Sequence, residues 1–471
     1  MRIHSQAGII AAMLLLSACS GAEQGAKTAG EDRPAATPAK ASTPADPYPS
    51  TYKPYPARTT LIRNVTLFDG EGGRIEHGSI LLEGGRVKAL GGALADLAVP
   101  EGALLIDGTG KFVTPGIIDA HSHLGAYPVP SVDAHMDGNE ATDPTTPELM
   151  VEHSIWPQDP GFSRALVNGG VTALQILPGS ANLIGGRTVV LKNVAARTVQ
   201  GMKMPGAPYG LKMACGENPK RLYGAKGRMP STRMGNFAVN RETWLRAKAY
   251  RDRRAGGKVQ ARDLGMETLA DVLDGRILVH NHCYRADEMA FVIDMAKEFG
   301  YKVSAFHHAV EAYKIADLLR DNGICAAVWA DWWGFKMESY DGIAENAPML
   351  HGAGVCTIIH SDDRNQVQRL NQEAAKALAD GRHMGLTIRD EEAMAWLTYN
   401  PARALGIEKE TGSLREGKAA DVVLWNGHPF SVYSRPEKVW IDGAMMVDVL
   451  DPARRPVSDF ELGQPGGGDV K

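Results

Sequence analysis

Cysteine is scarce in this chain, with five among 471 residues. Four of them, Cys215, Cys283, Cys325 and Cys356, lie in apolar or strand-like segments without framework spacing, which excludes a small disulfide-stapled scaffold. They are expected to be buried as small hydrophobes with free thiols, although an oxidising compartment would let them pair. Charge of one sign is not in excess either. A formal net charge of −4 leaves no basic footprint for nucleic acid. The apolar run at residues 7–16 is too short, and wrongly flanked, to span a membrane. The remaining composition, 44% apolar and 23% charged, is ordinary for a soluble globular enzyme, and the length allows one large domain with an accessory one.

The first nineteen residues fall outside any fold. Arg2, the apolar run and Leu16-Ser17-Ala18-Cys19 read as a secretory signal. "LSAC" resembles a bacterial lipoprotein box, in which Cys19 becomes the lipidated first residue of the mature chain. Ser20 after it implies, by the same resemblance, retention at the outer membrane. The expected location is therefore the cell envelope, facing the periplasm, with membrane contact only through the lipid. Residues 20–57 are rich in Ala, Pro, Ser, Thr and Lys, so a disordered tether is expected there. Residues 453–471 read as a C-terminal tail.

From residue 58 short strands alternate with Gly-rich turns, as in "TTLIRNVTLFDGEGG" and "HGSILLEGGRVKALGG". The same texture returns at residues 413–452. The two stretches predict one small β-sandwich domain built from both chain ends. Between them, over 113–412, strands alternate with helices. "RILVHNHCY" is followed by the helical "RADEMAFVIDMAKEFG", and "YKVSAFHHAV" by "EAYKIADLLRDNG". That alternation over about 300 residues predicts a parallel α/β fold, a closed (β/α)8 barrel of TIM type, with its chemistry at the strand C-termini.

Metal-type ligands fall at those ends. In "VTPGIIDAHSHLG" alternation puts His121 and His123 on one face of a strand. His280 and His282 end "RILVHNH", His307 and His308 end "KVSAFHH", and His360, Asp362 and Asp363 end "CTIIHSDD". Histidines and an aspartate converging on one face suit zinc or another divalent metal.

With these parts in place, "PGIIDAHSHL", the strand-ending histidines and the late "HSDD" resemble the amidohydrolase superfamily. "NPARALGI" followed by "GSLREGKAADVVLW" is similar to its imidazolonepropionase-like and Xaa-dipeptidase-like branch. The resemblance implies that His121 and His123 hold a first metal. "HCYRAD" matches the family's "HAHRAD", which implies His282 as the fifth-strand ligand, with His280 as the alternative. "HAVEAY" implies His308 from the sixth strand, and Asp362 matches the eighth-strand aspartate. Asp363 and His307 are then structural or act from behind the ligands. One or two zinc ions per chain follow. In a two-metal site the bridge is either Lys212, carboxylated by carbon dioxide as in relatives with an "IKICA" strand, or Glu217, where deacetylase-like relatives place a glutamate.

The implied reaction is hydrolysis of a C–N bond in a small peptide-like or cyclic amide, with Asp362 as general acid and base. A cyclic amidine deaminase is the alternative. Its His-x-x-Glu signature is broken here, because Arg285 stands three residues after His282. A metal-free binding lipoprotein is a further alternative, opposed by the complete ligand set. Asn182, with Gly185 and Gly186, is expected in a substrate-facing loop. Arg221, Tyr223, Arg233, Tyr284, Arg285, Trp329, Trp332, Trp333 and Lys336 are candidates to line the pocket. The sequence leaves the substrate unnamed and a homo-oligomer open.

Overall fold

A computed structural model describes residues 46–94 and 97–454. The signal, Cys19, most of the expected tether and the tail from residue 455 lie outside the described residues. The first five strands are β1 (Thr60–Phe68), β2 (Arg74–Glu83), β3 (Arg86–Gly91), β4 (Leu104–Asp107) and β5 (Phe112–Pro115). Eight follow: β6 (Ile117–Ser122), β7 (Val171–Ile176), β8 (Ile184–Lys192), β9 (Gly210–Ala214), β10 (Leu278–Cys283), β11 (Val303–His308), β12 (Cys325–Val328) and β13 (Thr357–Ile359). The last three are β14 (Val422–Trp425), β15 (Pro436–Ile441) and β16 (Ala444–Asp448).

The chain ends join in one eight-stranded sheet, ordered β16-β15-β14-β5-β1-β2-β3, with β4 also paired to β1. β1 pairs β4 through its first half and β5 through its second. Ile62, Leu67, Ile80, Val113, Val422 and Trp440 form its apolar core. Because β5 pairs β14 up to Pro115, this domain runs a few residues beyond the boundary at 112 read from sequence.

β6 to β13 lie side by side in chain order and form the TIM-type barrel. β6, β7, β9, β12 and β13 are buried along their whole length, as expected of parallel strands covered on both faces. The helix before β7 starts and stops at capping residues. Asp159 caps Pro160–Gly169 by accepting from the Gly161 N–H, and Gly170 closes that helix at φ +65°.

One strand departs from the expected alternation. β8 runs antiparallel to both β7 and β9. The β7–β8 connection is too short for a crossover helix, and such a link can only make a hairpin. Gly185 and Gly186, expected in a loop, therefore sit within β8. Gly186 has φ +114°, and a Cβ there would lie 2.7 Å from the Leu149 carbonyl oxygen. Glycine is required on both counts.

Two further expectations are corrected. The four cysteines are not free thiols: Cys215 pairs with Cys283 and Cys325 with Cys356, at Cα separations of 5.2 and 4.5 Å. Each bridge joins neighbouring parallel strands at one end, where register brings the two Cβ atoms together. Residues 46–57 are not a loose tether either. Tyr52 donates to Asp442 at 2.6 Å, Tyr55 to the Ala195 carbonyl at 2.7 Å, and Asp46 pairs with Lys203 at 2.7 Å. Three tyrosines among the prolines give this stretch something to bury.

Candidate active site

The barrel closes through its first and last strands. The Asp362 N–H donates to the His121 carbonyl at 3.0 Å. The Ser361 N–H donates to Asp119 Oδ1 at 3.2 Å, and the Ser361 hydroxyl donates to Asp119 Oδ2. Asp119 is fully buried, and burial pushes its carboxyl up to about 7. Asp362 lies beyond the end of β13 and adopts φ +55°; His308 and Ala309, at the end of β11, have φ +70° and +39°. Left-handed backbone is uncommon outside glycine and gathers at functional sites. Here it folds the Asp362 and His308 side chains back over the barrel mouth.

Six of the seven expected ligands meet there. Asp362 Oδ1 lies 3.3 Å from His121 Nε2 and 3.2 Å from His123 Nε2, and Oδ2 lies 3.8 Å from His308 Nδ1. Lys212 Nζ approaches His121 Nε2 to 3.3 Å. The His282 ring centroid is 4.5 Å from that of His308. Glu217 stands apart, with Oε1 3.5 Å from Lys336 Nζ. Of the two candidate bridges, the structure brings Lys212 to the histidines and turns Glu217 to a lysine.

Burial sets the protonation of this group. His121, His282 and His308 are held well below the usual imidazole range, and so is His307. His360 is pulled down to about 4 and His280 to about 3. Each is therefore neutral near pH 7, with one bare nitrogen. Burial also lowers Lys212 to about 8. Both ring nitrogens of His282 and of His360, and Nδ1 of His308, are buried without a hydrogen-bond partner. Unpartnered buried nitrogens are costly, and neutral ones beside a carboxylate are the donor set a divalent cation satisfies. The residues present thus fit a metal.

His280 differs from His282, because its Nδ1 is 3.0 Å from His307 Nε2 and so already engaged. The strand-end pattern groups His360 with the metal-type ligands without a specific role, and it does not single out Asp119. His360 stacks on His121 at 5.1 Å between ring centroids. Its place two residues before Asp362 was the available signal. Asp363 accepts from the N–H groups of Asn365 and Gln366 and caps a short turn, away from the histidines.

The expected pocket residues separate. Tyr284 and Trp329 are buried beside His308; Trp329 stacks on His308 at 4.3 Å and Trp332 stacks on Trp329 at 4.8 Å. A cavity of about 240 Å³ is lined by His308, Val310, Trp329, Trp332, Trp333 and Ile343, among others. Lys336 Nζ sits 4.0 Å from the Tyr284 ring centroid. Asn182 is spent on the segment after β6, with its amide Nδ2 within hydrogen-bond distance of the Glu140 and Asp143 carbonyls and the Thr146 hydroxyl. Arg285 is part-exposed and paired with Asp287 at 2.9 Å, and Arg221 is exposed on the helix Glu217–Ala225. Arg233 ties Glu288 to Glu338, and Tyr223 donates to the Asp143 carbonyl.

Neutral nitrogen donors facing one carboxylate across the mouth of a barrel place the chain among the metal-dependent hydrolases. The amidohydrolase family pattern matches residues 112–446, and the chain belongs to that family. It is 33% identical over 432 residues to amidohydrolase tasK of Hapsidospora irregularis, an alignment covering 83% of this chain and 43% of that relative's length. It is 25% identical over 402 residues to an imidazolonepropionase of Mesorhizobium japonicum, covering 77% of this chain and 90% of the relative. Among solved structures, an amidohydrolase from Thermotoga maritima superposes with a TM-score of 0.76 at 36% identity, over 83% of this chain and all of that one.

Proposed function

We propose that this chain hydrolyses an amide bond, peptide-like or cyclic, in a small molecule, with Asp362 as general acid and base beside a divalent metal. The observation that carries the reading is the set of buried, unpartnered imidazole nitrogens of His282, His308 and His360 at the mouth that holds the Asp362 carboxylate. His121, His123, His282, His308 and Asp362 are the proposed ligands. When bound, zinc or a similar ion polarises a carbonyl and lowers the pKa of water from about 15.7 to near 7. Asp362, part-exposed at the mouth, takes the proton of the attacking water and delivers it to the leaving nitrogen. The amide and one water become a carboxylic acid and an amine.

Lys212 is the proposed bridge where two ions bind. Its amine is buried, and no carboxylate lies within ion-pair distance among the described residues, so the ammonium form is disfavoured. A neutral amine attacks carbon dioxide and loses a proton to give a carbamate anion. Glu217 is already engaged by Lys336.

The ring column of His308, Trp329 and Trp332 supports a substrate with a compact apolar group near the scissile bond, held against Tyr284 and the adjoining cavity. Deamination of a cyclic amidine is less well supported, because Arg285 stands where that chemistry needs a carboxylic acid. A turnover screen of the zinc-loaded protein over dipeptides, N-acyl amino acids and cyclic amides tests the reading. Chelator-sensitive hydrolysis of one class is expected. Fully loaded protein inert toward all three contradicts it.

Export with lipid attachment at Cys19, to the periplasmic face of an outer membrane, is a second proposal. Two disulfides support an oxidising compartment. Cys19→Ala should release the protein from the membrane fraction.

A further inference from the structure

Beneath the proposed ligands three imidazoles form a chain. His121 Nδ1 is 2.9 Å from His307 Nδ1, and His307 Nε2 is 3.0 Å from His280 Nδ1. All three rings are fully buried. A nitrogen pair this close holds one proton, so the chain has two directions, with every N–H pointing down from the mouth or every N–H pointing up.

We infer that His307 and His280 are positioning residues that hold His121 in its Nδ1–H tautomer, leaving Nε2 bare toward Asp362 and Lys212. The inference rests on the metal reading above. His121 Nε2 is the nitrogen facing Asp362 and Lys212, each at 3.3 Å. To offer a lone pair there, neutral His121 must carry its proton on Nδ1. His307 Nδ1 then accepts, His307 Nε2 carries the next proton, and His280 Nδ1 accepts it. The last proton falls on His280 Nε2, which has no partner. Gln175 Oε1, also buried and unpartnered, lies on the same barrel floor, since a Cβ on Gly210 would meet both His280 Cδ2 and Gln175 Nε2 within 3 Å. Neither His280 Nε2 nor Gln175 Oε1 has a hydrogen-bond partner among the described residues. Ligating histidines take their tautomer from the partner of the second nitrogen, and loss of such a partner costs about 10–100-fold in metal affinity.

The test is zinc affinity of the full chain, by competition with a chromogenic chelator, for wild type, His307→Leu and His307→Gln. Glutamine retains one acceptor and one donor; leucine fills space with neither. His307→Leu is expected to bind zinc about 10–100-fold more weakly, with His307→Gln within about threefold of wild type. Equal affinity in all three, or equal loss in both variants, overturns the tautomer account. Wild type that takes up no zinc overturns the metal reading instead. Should His307→Leu fail to fold, the zinc-loaded wild type still decides. Low-field imidazole N–H resonances assigned to Nδ1 of His121 and Nε2 of His307 support the chain, and a proton on His121 Nε2 refutes it.

Discussion

Asp362 holds His121 twice. Its backbone N–H donates to the His121 carbonyl at 3.0 Å, and its carboxylate stands 3.3 Å from His121 Nε2. One residue thereby closes the barrel and supplies the site's carboxylate.

The two roles separate by substitution. Asp362→Asn keeps the backbone bond and loses proton affinity. Its kcat is expected to fall by about two to four orders of magnitude, with metal content falling much less. Asp363→Asn touches only a turn cap, so it should cost about 1 kcal/mol or less and leave kcat near wild type. Steady-state kinetics with thermal melts check both, and the reverse ranking would identify Asp363 as the base.

Lys212 and Glu217 separate in the same way. Lys212→Ala should lose turnover, with partial recovery in short carboxylic acids that replace the carbamate. Glu217→Gln should remain active, since its carboxylate faces Lys336. Retained activity in Lys212→Ala, with loss of a second metal in Glu217→Gln, would move the bridge to Glu217.

Much of this site was legible in the sequence because strand-end position and alternation are one-dimensional. His121, His123, His282 and His308 could be placed from the apolar runs before them. What was hidden depends on three-dimensional closure. The reversal of β8 follows from a short link whose Gly185 and Gly186 read equally well as a loop. The two disulfides join residues 68 and 31 positions apart, a register that no local pattern encodes. Asp362 enters the site through left-handed backbone rather than simple alternation. Glu217 turns to Lys336 because a helix starts at Glu217 itself, a boundary the sequence leaves loose.

The buried histidines predict acid sensitivity of the metal-free protein. Six of them, His121, His280, His282, His307, His308 and His360, have folded pKa values below the ordinary one of about 6.5. Below about pH 6.5 the unfolded chain binds more protons at these positions, so stability is lost as pH falls toward about 4. Asp119, raised to about 7, acts in the opposite direction, as do Asp159, Glu288, Glu373 and Asp380, which burial also raises, while His351, also lowered by burial, adds to the six. The urea midpoint of chelator-treated protein should drop between about pH 7 and 5. A flat midpoint over that range contradicts the assigned burial.

Reduction should weaken the barrel. Removing Cys215–Cys283 or Cys325–Cys356 is expected to cost about 2–5 kcal/mol each. Thiol alkylation in denaturant, without reductant, should leave all four cysteines unmodified. Labelling of all four in protein exported to an oxidising compartment contradicts both bridges.

Metal content of the purified protein, wild type against His121→Ala with His123→Ala, tests the central claim most directly. Elemental analysis should find one or two divalent ions per wild-type chain and loss of the tighter one in the double variant, with the fold retained. A double variant that keeps its full complement of metal would contradict the site.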